Sequence, residues 1–183
     1  MSEAREELLA KVMAHVVANG LADASLRELA TAAGTSHRML IYHFGSREGL
    51  VAAIVAAMEG QQRAALAAIA ASAASPAEVI RAQWAQLSDP ALAPFVRLFF
   101  EICGQALHRR PGTEGFLASL TAPWIEAAAA AARAVGFEPD DVDARLGIAA
   151  VRGLLLDAVA SGNIAGPTAS LERLLGYWEA ARS

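Results

Sequence analysis

The sequence predicts an all-α chain: an N-terminal three-helix domain with a helix-turn-helix, joined by a long helix to a larger helical body. Three observations carry this expectation. Hydrophobic residues reach 55% of 183 and are dominated by alanine, while aromatics make up 6% and β-branched runs are missing; alanine is the strongest helix former. Apolar residues recur at three- and four-residue spacings between caps and glycine or proline stops. The stretch from Ser25 to Leu50 has the spacing of two short helices set at an angle about a glycine.

Residues 3–18 form the first helix, with Leu8, Leu9, Val12, Val16 and Val17 as its apolar face and Asn19-Gly20 as its stop. His15 sits among alanines and valines and reads as a structural histidine. Ser25-x-x-Glu28 is a capping box that opens the second helix, whose stripe is Leu26, Leu29, Ala30 and Ala33. Gly34 ends it, since glycine takes a left-handed cap without steric cost. Thr35 or Ser36 caps the third helix, and Leu40 and Phe44 turn inward from it. Ala30-x3-Gly34-x5-Leu40 then supplies the close approach, the turn and the locking apolar residue of a helix-turn-helix. With Leu40 inward at 100° per residue, Arg38 and Tyr42 point most nearly away, Met39 and Ile41 lie on the flanks, His37 lies closer to the core side and His43 falls on the inner flank.

Ser46 caps a long helix over 47–72, striped by Leu50, Ile54, Ala57, Met58, Ala65 and Ile69. Ser75-Pro76-Ala77-Glu78 combines a cap, a first-turn proline and a capping-box glutamate, and the helix it opens runs to Leu87. Asp89-Pro90 starts the next, which ends at His108-Arg109-Arg110-Pro111. Cations favour a helix C-terminus, which accounts for the arginine pair without a second DNA site. A helix over 113–135 follows, with Pro123 expected to bend or break it. Segments 139–162 and 168–181 form a final pair joined by a glycine-rich connection. Their apolar faces are wider than one neighbour covers, which points to a subunit interface.

Net charge is −4, which alone argues against nucleic acid. Residues 1–50 set Arg5, Lys11, Arg27, Arg38 and Arg47 against Glu3, Glu6, Glu7, Asp23, Glu28 and Glu48, but from Gly34 to Gly49 the cationic side prevails over Glu48 alone. A small local positive face suits specific DNA binding with weak non-specific binding. The single cysteine, Cys103, excludes an intrachain disulfide and a cysteine-rich zinc site. No signal peptide or membrane span is read, so the chain is expected in the cytoplasm. No H-E-x-x-H, P-loop or GxGxxG element occurs, and no catalytic residue, metal or cofactor is expected.

Tyr42-His43-Phe44-Gly45-Ser46-Arg47-Glu48-Gly49-Leu50, together with the Gly34 turn and the capped helix before it, resembles the Y-x-H-F-x-[ST]-K-E-x-L region of tetracycline-repressor (TetR) family transcription regulators. The likeness is confined to roughly the first quarter of the chain. Two positions depart from it. Ile41 stands where the family often has tyrosine and removes a phosphate donor, and Arg47 replaces lysine while keeping the charge.

The resemblance implies a homodimer that presents two heads to a palindromic operator, with DNA affinity set by a small-molecule effector. It divides the chain into a DNA-binding domain over 1–46 and an effector-binding and dimerisation domain over 47–183. The candidate DNA contacts are Ser25, Ser36, His37, Arg38, Met39, Tyr42 and Arg47. Trp84, Phe99, Cys103, Phe116, Leu120 and Trp124 are candidates for a pocket taking an apolar or aromatic effector, though each also suits a plain core. The dimer, which the family builds from its last two helices, is assigned to Leu146, Gly153, Leu154, Leu171, Leu174 and Trp178. The competing expectation is a helical ligand carrier or enzyme using the helix-turn-helix only as scaffold. The absence of paired Glu-x-x-His ligands counts against a metal-bundle oxidase.

Overall fold

A computed structural model describes residues 3–21, 24–113 and 115–181; Asp23, counted among the acids above, lies outside them. Every regular element among the described residues is helical: α1 (Glu3–Asn19), α2 (Leu26–Ala32), α3 (His37–Phe44), α4 (Arg47–Ser72), α5 (Pro76–Leu87), α6 (Ala93–Leu107), α7 (Phe116–Ser119), α8 (Ala122–Ala134), α9 (Asp141–Ser161) and α10 (Ala165–Ala180). A 3₁₀ turn over Pro90–Leu92 leads into α6, opened by Asp89, whose carboxylate accepts from the Ala91 N–H. The chain divides into two compact units, residues 1–61 with 97–120, and residues 62–96 with 121–183.

In the first unit, Val12, Val16, Leu21, Leu29, Leu40, Leu50, Ile54 and Ile102 are all fully buried. The head therefore shares its core with the start of α4 and with Ile102 of α6. Burying one such side chain contributes about 1.5–3 kcal/mol. A shared core stabilises a three-helix head that is too small to supply enough apolar burial alone. In the second unit, Leu66, Ala70, Val79, Trp124 and Ala131 form one cluster. Leu171 and Leu175 of α10 are each 1% exposed. Arg81 of α5 donates to Glu172 of α10 at 2.9 Å.

Two helix boundaries differ from expectation. The segment expected as one helix over 113–135 is two, α7 and α8, and Pro123 sits in the first turn of α8. A proline ring clashes with the carbonyl four residues earlier; here that residue is Ser119, the last of α7. The last helix begins at Ala165 rather than 168, with Pro167 buried in its first turn. The missing proline N–H is no loss there, because first-turn donors have no intrahelical partner. The Asn163 side-chain oxygen accepts from the Ala165 N–H at 2.9 Å.

Candidate DNA-reading surface

The turn between α2 and α3 is fully hydrogen-bonded. At the start of α2, Ser25 Oγ accepts from the Glu28 N–H at 3.3 Å, and the Glu28 carboxylate accepts from the Ser25 N–H at 2.7 Å. These bonds hold the Glu28 carboxyl below the usual glutamate range. At the other end Gly34 takes φ +68°, its N–H donates to Thr31 O, and the Thr35 N–H donates to Ala30 O. That pair of bonds is a Schellman closure. Ser36 caps α3, its Oγ accepting from the Met39 N–H at 3.2 Å.

Helix α3 buries Leu40 and Phe44 and presents its other face to solvent. His37 and Arg38 are exposed, Met39 and Ile41 are marginally so, and Tyr42 is 77% exposed. Among the described residues Arg38 has no protein partner. Tyr42 is more exposed than Met39 and Ile41, as helical phase predicts, whereas His37, expected closer to the core side, is exposed because it opens the helix. His43 is half-buried, its ring 5.0 Å edge-on from that of Tyr42.

Arg27 is exposed on α2, whereas three other cations of the head are engaged within it. Arg5 Nε donates to the His43 carbonyl at 3.1 Å, and its guanidinium lies 4.8 Å from the Phe44 ring centroid. It therefore braces the C-terminal end of α3 from α1. Arg47 donates to Leu21 O at 3.1 Å and to Ala24 O at 3.3 Å, tying the start of α4 to the connection between α1 and α2. Lys11 pairs with Glu7 at 2.7 Å. Of the three, sequence reasoning counted only Arg47 toward the positive face; Arg5 and Lys11 entered only the charge tally of residues 1–50. The partners of the three are carbonyls 38, 26 and 23 residues distant, or a neighbour on the outer face of α1, and no local pattern announces the first two.

Glu101 of α6 was also not anticipated. Its carboxylate accepts from the Leu21 N–H at 3.1 and 3.2 Å and from Gln105 Nε2 at 2.9 Å. The Leu21 peptide is thus held at its N–H by α6 and at its C=O by Arg47. Gly49 is equally specific, since a side chain there would collide with the Phe44 carbonyl. Glu59 and Thr113 are the buried polar residues among those described.

The six pocket candidates divide between the two units. In the first, Phe99 meets Phe116 edge-on with centroids 5.9 Å apart, Phe116 is buried, and Cys103 and Leu120 are half-buried. In the second, Trp84 is buried with its indole N–H donated to Thr168 Oγ1 at 2.9 Å, and Trp124 is buried 5.6 Å from the Arg152 guanidinium.

Of the interface candidates, Leu171 requires correction. At 1% exposure it belongs to the core of its own unit and cannot offer a face to a partner. Leu154, Leu174 and Trp178 are half-buried, with the Trp178 ring lying over Gly147. Leu146 is 47% exposed, and Gly153 is exposed with open space above it. Val142 and Leu156, which were not among the candidates, are 71% and 50% exposed. With Ala149 and Ala160, also exposed, they form one stripe along α9 at alternating spacings of four and three.

Among the described residues no group of three or more His, Cys, Asp or Glu is placed to hold a metal ion, and no helix is long and apolar enough to cross a membrane. A rigidly capped second helix that carries exposed polar, aromatic and cationic side chains is the arrangement of a helix-turn-helix. Residues 13–54 match the family model described as bacterial regulatory proteins, tetR family. That match covers the reading head, which is thus similar to the N-terminal domain of TetR-family regulators. No curated protein matches the chain. Among solved structures it is similar to a transcriptional regulator from Rhodococcus sp. Rha1, with 24% identity over 95% of each chain and a TM-score of 0.77. A putative TetR-family regulator from Rhodococcus sp. shows 23% identity over 100% of each chain and a TM-score of 0.76. The multidrug binding protein EbrR, complexed with imidazole, shows 22% identity over 96% of this chain and 89% of its own, with a TM-score of 0.70. At these identities the likeness establishes the fold.

Proposed function

We propose that this chain is a ligand-responsive repressor that binds a palindromic operator as a homodimer in the cytoplasm. The observation that carries the reading is the outward face of α3, where Arg38 stands exposed on a helix fixed at both ends. An arginine in that position can fork onto guanine O6 and N7 in the major groove. Ser36, His37, Met39 and Tyr42 flank it, Ser25 at the start of α2 is a further candidate contact, and Arg47 serves by holding the start of α4 to the connection between α1 and α2. The functional division is a DNA-binding domain over 1–46 and an effector-binding and dimerisation domain over 47–183.

The apolar stripe of α9 supports the dimer, because a row of exposed valine and leucine at helical spacing is costly to leave in water. The aromatic content of the central helices supports an apolar or aromatic effector, with Phe99, Cys103, Phe116 and Leu120 as candidates in the first unit and Trp84 and Trp124 as candidates in the second. That the fold also serves a multidrug binding protein is consistent with this. The dimer must hold its heads roughly 34–36 Å apart to meet successive major grooves. An effector that prefers another spacing weakens DNA binding, and DNA weakens effector binding by the same factor.

Selection of a duplex from a random pool, followed by a small-molecule release screen, tests the reading. Recovery of a palindrome and of a compound that dissociates it is the expected result. Equal effector affinity with and without the duplex would remove the regulatory coupling.

A further inference from the structure

The loop that follows α6 carries an unusual residue. The Arg110 N–H donates to Gln105 O and the Arg109 N–H donates to Ala106 O, so α6 closes in a Schellman motif with Arg109 at its left-handed position. Arg109 has φ +53° and is the one non-glycine residue with positive φ among those described. Glycine holds this position at lower cost, since an L side chain crowds its own backbone there. The helix dipole accounts for positive charge near a C-terminus. It does not account for arginine in place of glycine, and such outliers point to function.

The loop is also fixed against the reading head's own unit. A side chain on Gly112 would lie 2.7 Å from both Cα and O of Glu48, so the loop backbone rests directly on the first turn of α4. Thr113 is buried, and its Oγ1 donates to the Arg110 carbonyl at 2.6 Å. Arg110 is two residues from Gly112, at most about 7 Å along the chain. His108, Arg109 and Arg110 are exposed and, among the described residues, their side chains have no protein partner. Glu48, at this contact, is turned back onto its own N–H and the Ser46 hydroxyl at the start of α4; Glu114, four residues after Arg110, lies outside the described residues. In the head, Arg5 and Arg47 donate to backbone carbonyls and Lys11 pairs with Glu7 on the surface, which leaves Arg27 and Arg38 as its exposed arginines.

We propose that His108, Arg109 and Arg110 form a second, sequence-independent DNA contact, holding backbone phosphates beside the bases read by α3. The loop adds to the electrostatic part of affinity in a chain that is acidic as a whole. This rests on the reading of α3 as the DNA-binding helix.

The test measures salt-dependent binding of the full chain to a duplex it selects and to a scrambled duplex, by fluorescence anisotropy. Arg109→Gly combined with Arg110→Ala should melt no lower than wild type, because glycine relieves the left-handed position. Its affinity for both duplexes should fall together, by roughly tenfold at moderate salt. Its log–log salt slope should shrink by about 0.9 for each phosphate that a head no longer neutralises. Arg109→Lys with Arg110→Lys should recover the slope, and failure to recover it would show that charge is not the agent and overturn the inference. An unchanged slope in the neutral variant, with Arg38→Ala still weakening selected-duplex binding, overturns the loop's role alone and leaves its cations to an acidic protein surface. A wild-type chain that selects no duplex overturns the loop's role and the reading of α3 together.

Discussion

Arg38 and Arg47 lie nine residues apart, yet their surroundings assign them different work. Arg38 is exposed and has no partner among the described residues. Arg38→Ala should leave thermal unfolding unchanged and lower affinity for the selected operator by about 1–3 kcal/mol, the cost of removing one base-reading side chain. Normal operator binding by this variant would show that α3 presents another residue to the bases. Arg47 instead donates to two backbone carbonyls that no other side chain is shown to satisfy. Hydrogen bonds from a charged donor are worth about 1.5–3 kcal/mol. Arg47→Ala should therefore lower the melting temperature and weaken binding to every duplex alike, whereas an unchanged melting curve would mean that these bonds contribute nothing. Glu28 adds a pH signature. Its carboxyl is depressed by bonds from Ser25, so its contribution is present above the ordinary value of 4.5 and is lost as pH falls through the lower folded value. Glu28→Gln should flatten the acid limb of the stability curve, and a limb of unchanged steepness would argue against the capping box.

At the scale of single elements, α4 shows how position decides what a glycine does. Gly49 lies in its first turn against the Phe44 carbonyl, which leaves no room for a methyl group. Gly49→Ala must shift α3 or α4, and overpacking of this kind costs about 1–3 kcal/mol. Gly60 is in the same helix, exposed and facing open space. Gly60→Ala should stabilise the chain by about 0.5–1 kcal/mol, because alanine restricts the unfolded chain and favours helix. Denaturant midpoints of the two variants should move in opposite directions. If both move the same way, the close packing of α3 on α4 is not what constrains Gly49.

For the whole molecule the question is assembly. Val142, Leu146 and Leu156 remain exposed on α9 after the protomer has folded. Leu156→Glu should leave the protomer intact, since that side chain lies outside its core. It should convert a sedimenting dimer into a monomer at micromolar concentration, because an unpaired charge in a buried apolar face costs several kcal/mol. A wild-type protein that sediments as a monomer would remove the interface, and with it the geometry that places two heads on one palindrome. Leu171→Glu makes the contrasting case. Leu171 is 1% exposed, so the substitution should unfold the second unit and not merely separate subunits.

Local signals determined most of the architecture. The Ser25–Glu28 box, the Gly34 turn, the Ser36 and Ser46 caps and the Ser75-Pro76 start all act within three or four residues. Sequence therefore marked these starts, including the bounds of α4 at Arg47 and Ser72, before any packing was known. The outward face of α3 was legible for the same reason: once Leu40 is placed inward, helical periodicity orders its neighbours. Tertiary structure alone decided which charges serve the head and which face outward. Arg5, Arg47 and Glu101 find carbonyls or an N–H on segments 23 to 80 residues away, and no local pattern encodes a partner at that separation. It also decided that Leu171 is core and Leu156 is surface. Both are leucines at helical spacing, and only the packing of α10 against α9 selects which face of each helix is covered. Chain direction and hydrogen-bonding capacity are properties of neighbouring residues, whereas burial is a property of whatever the fold brings opposite them.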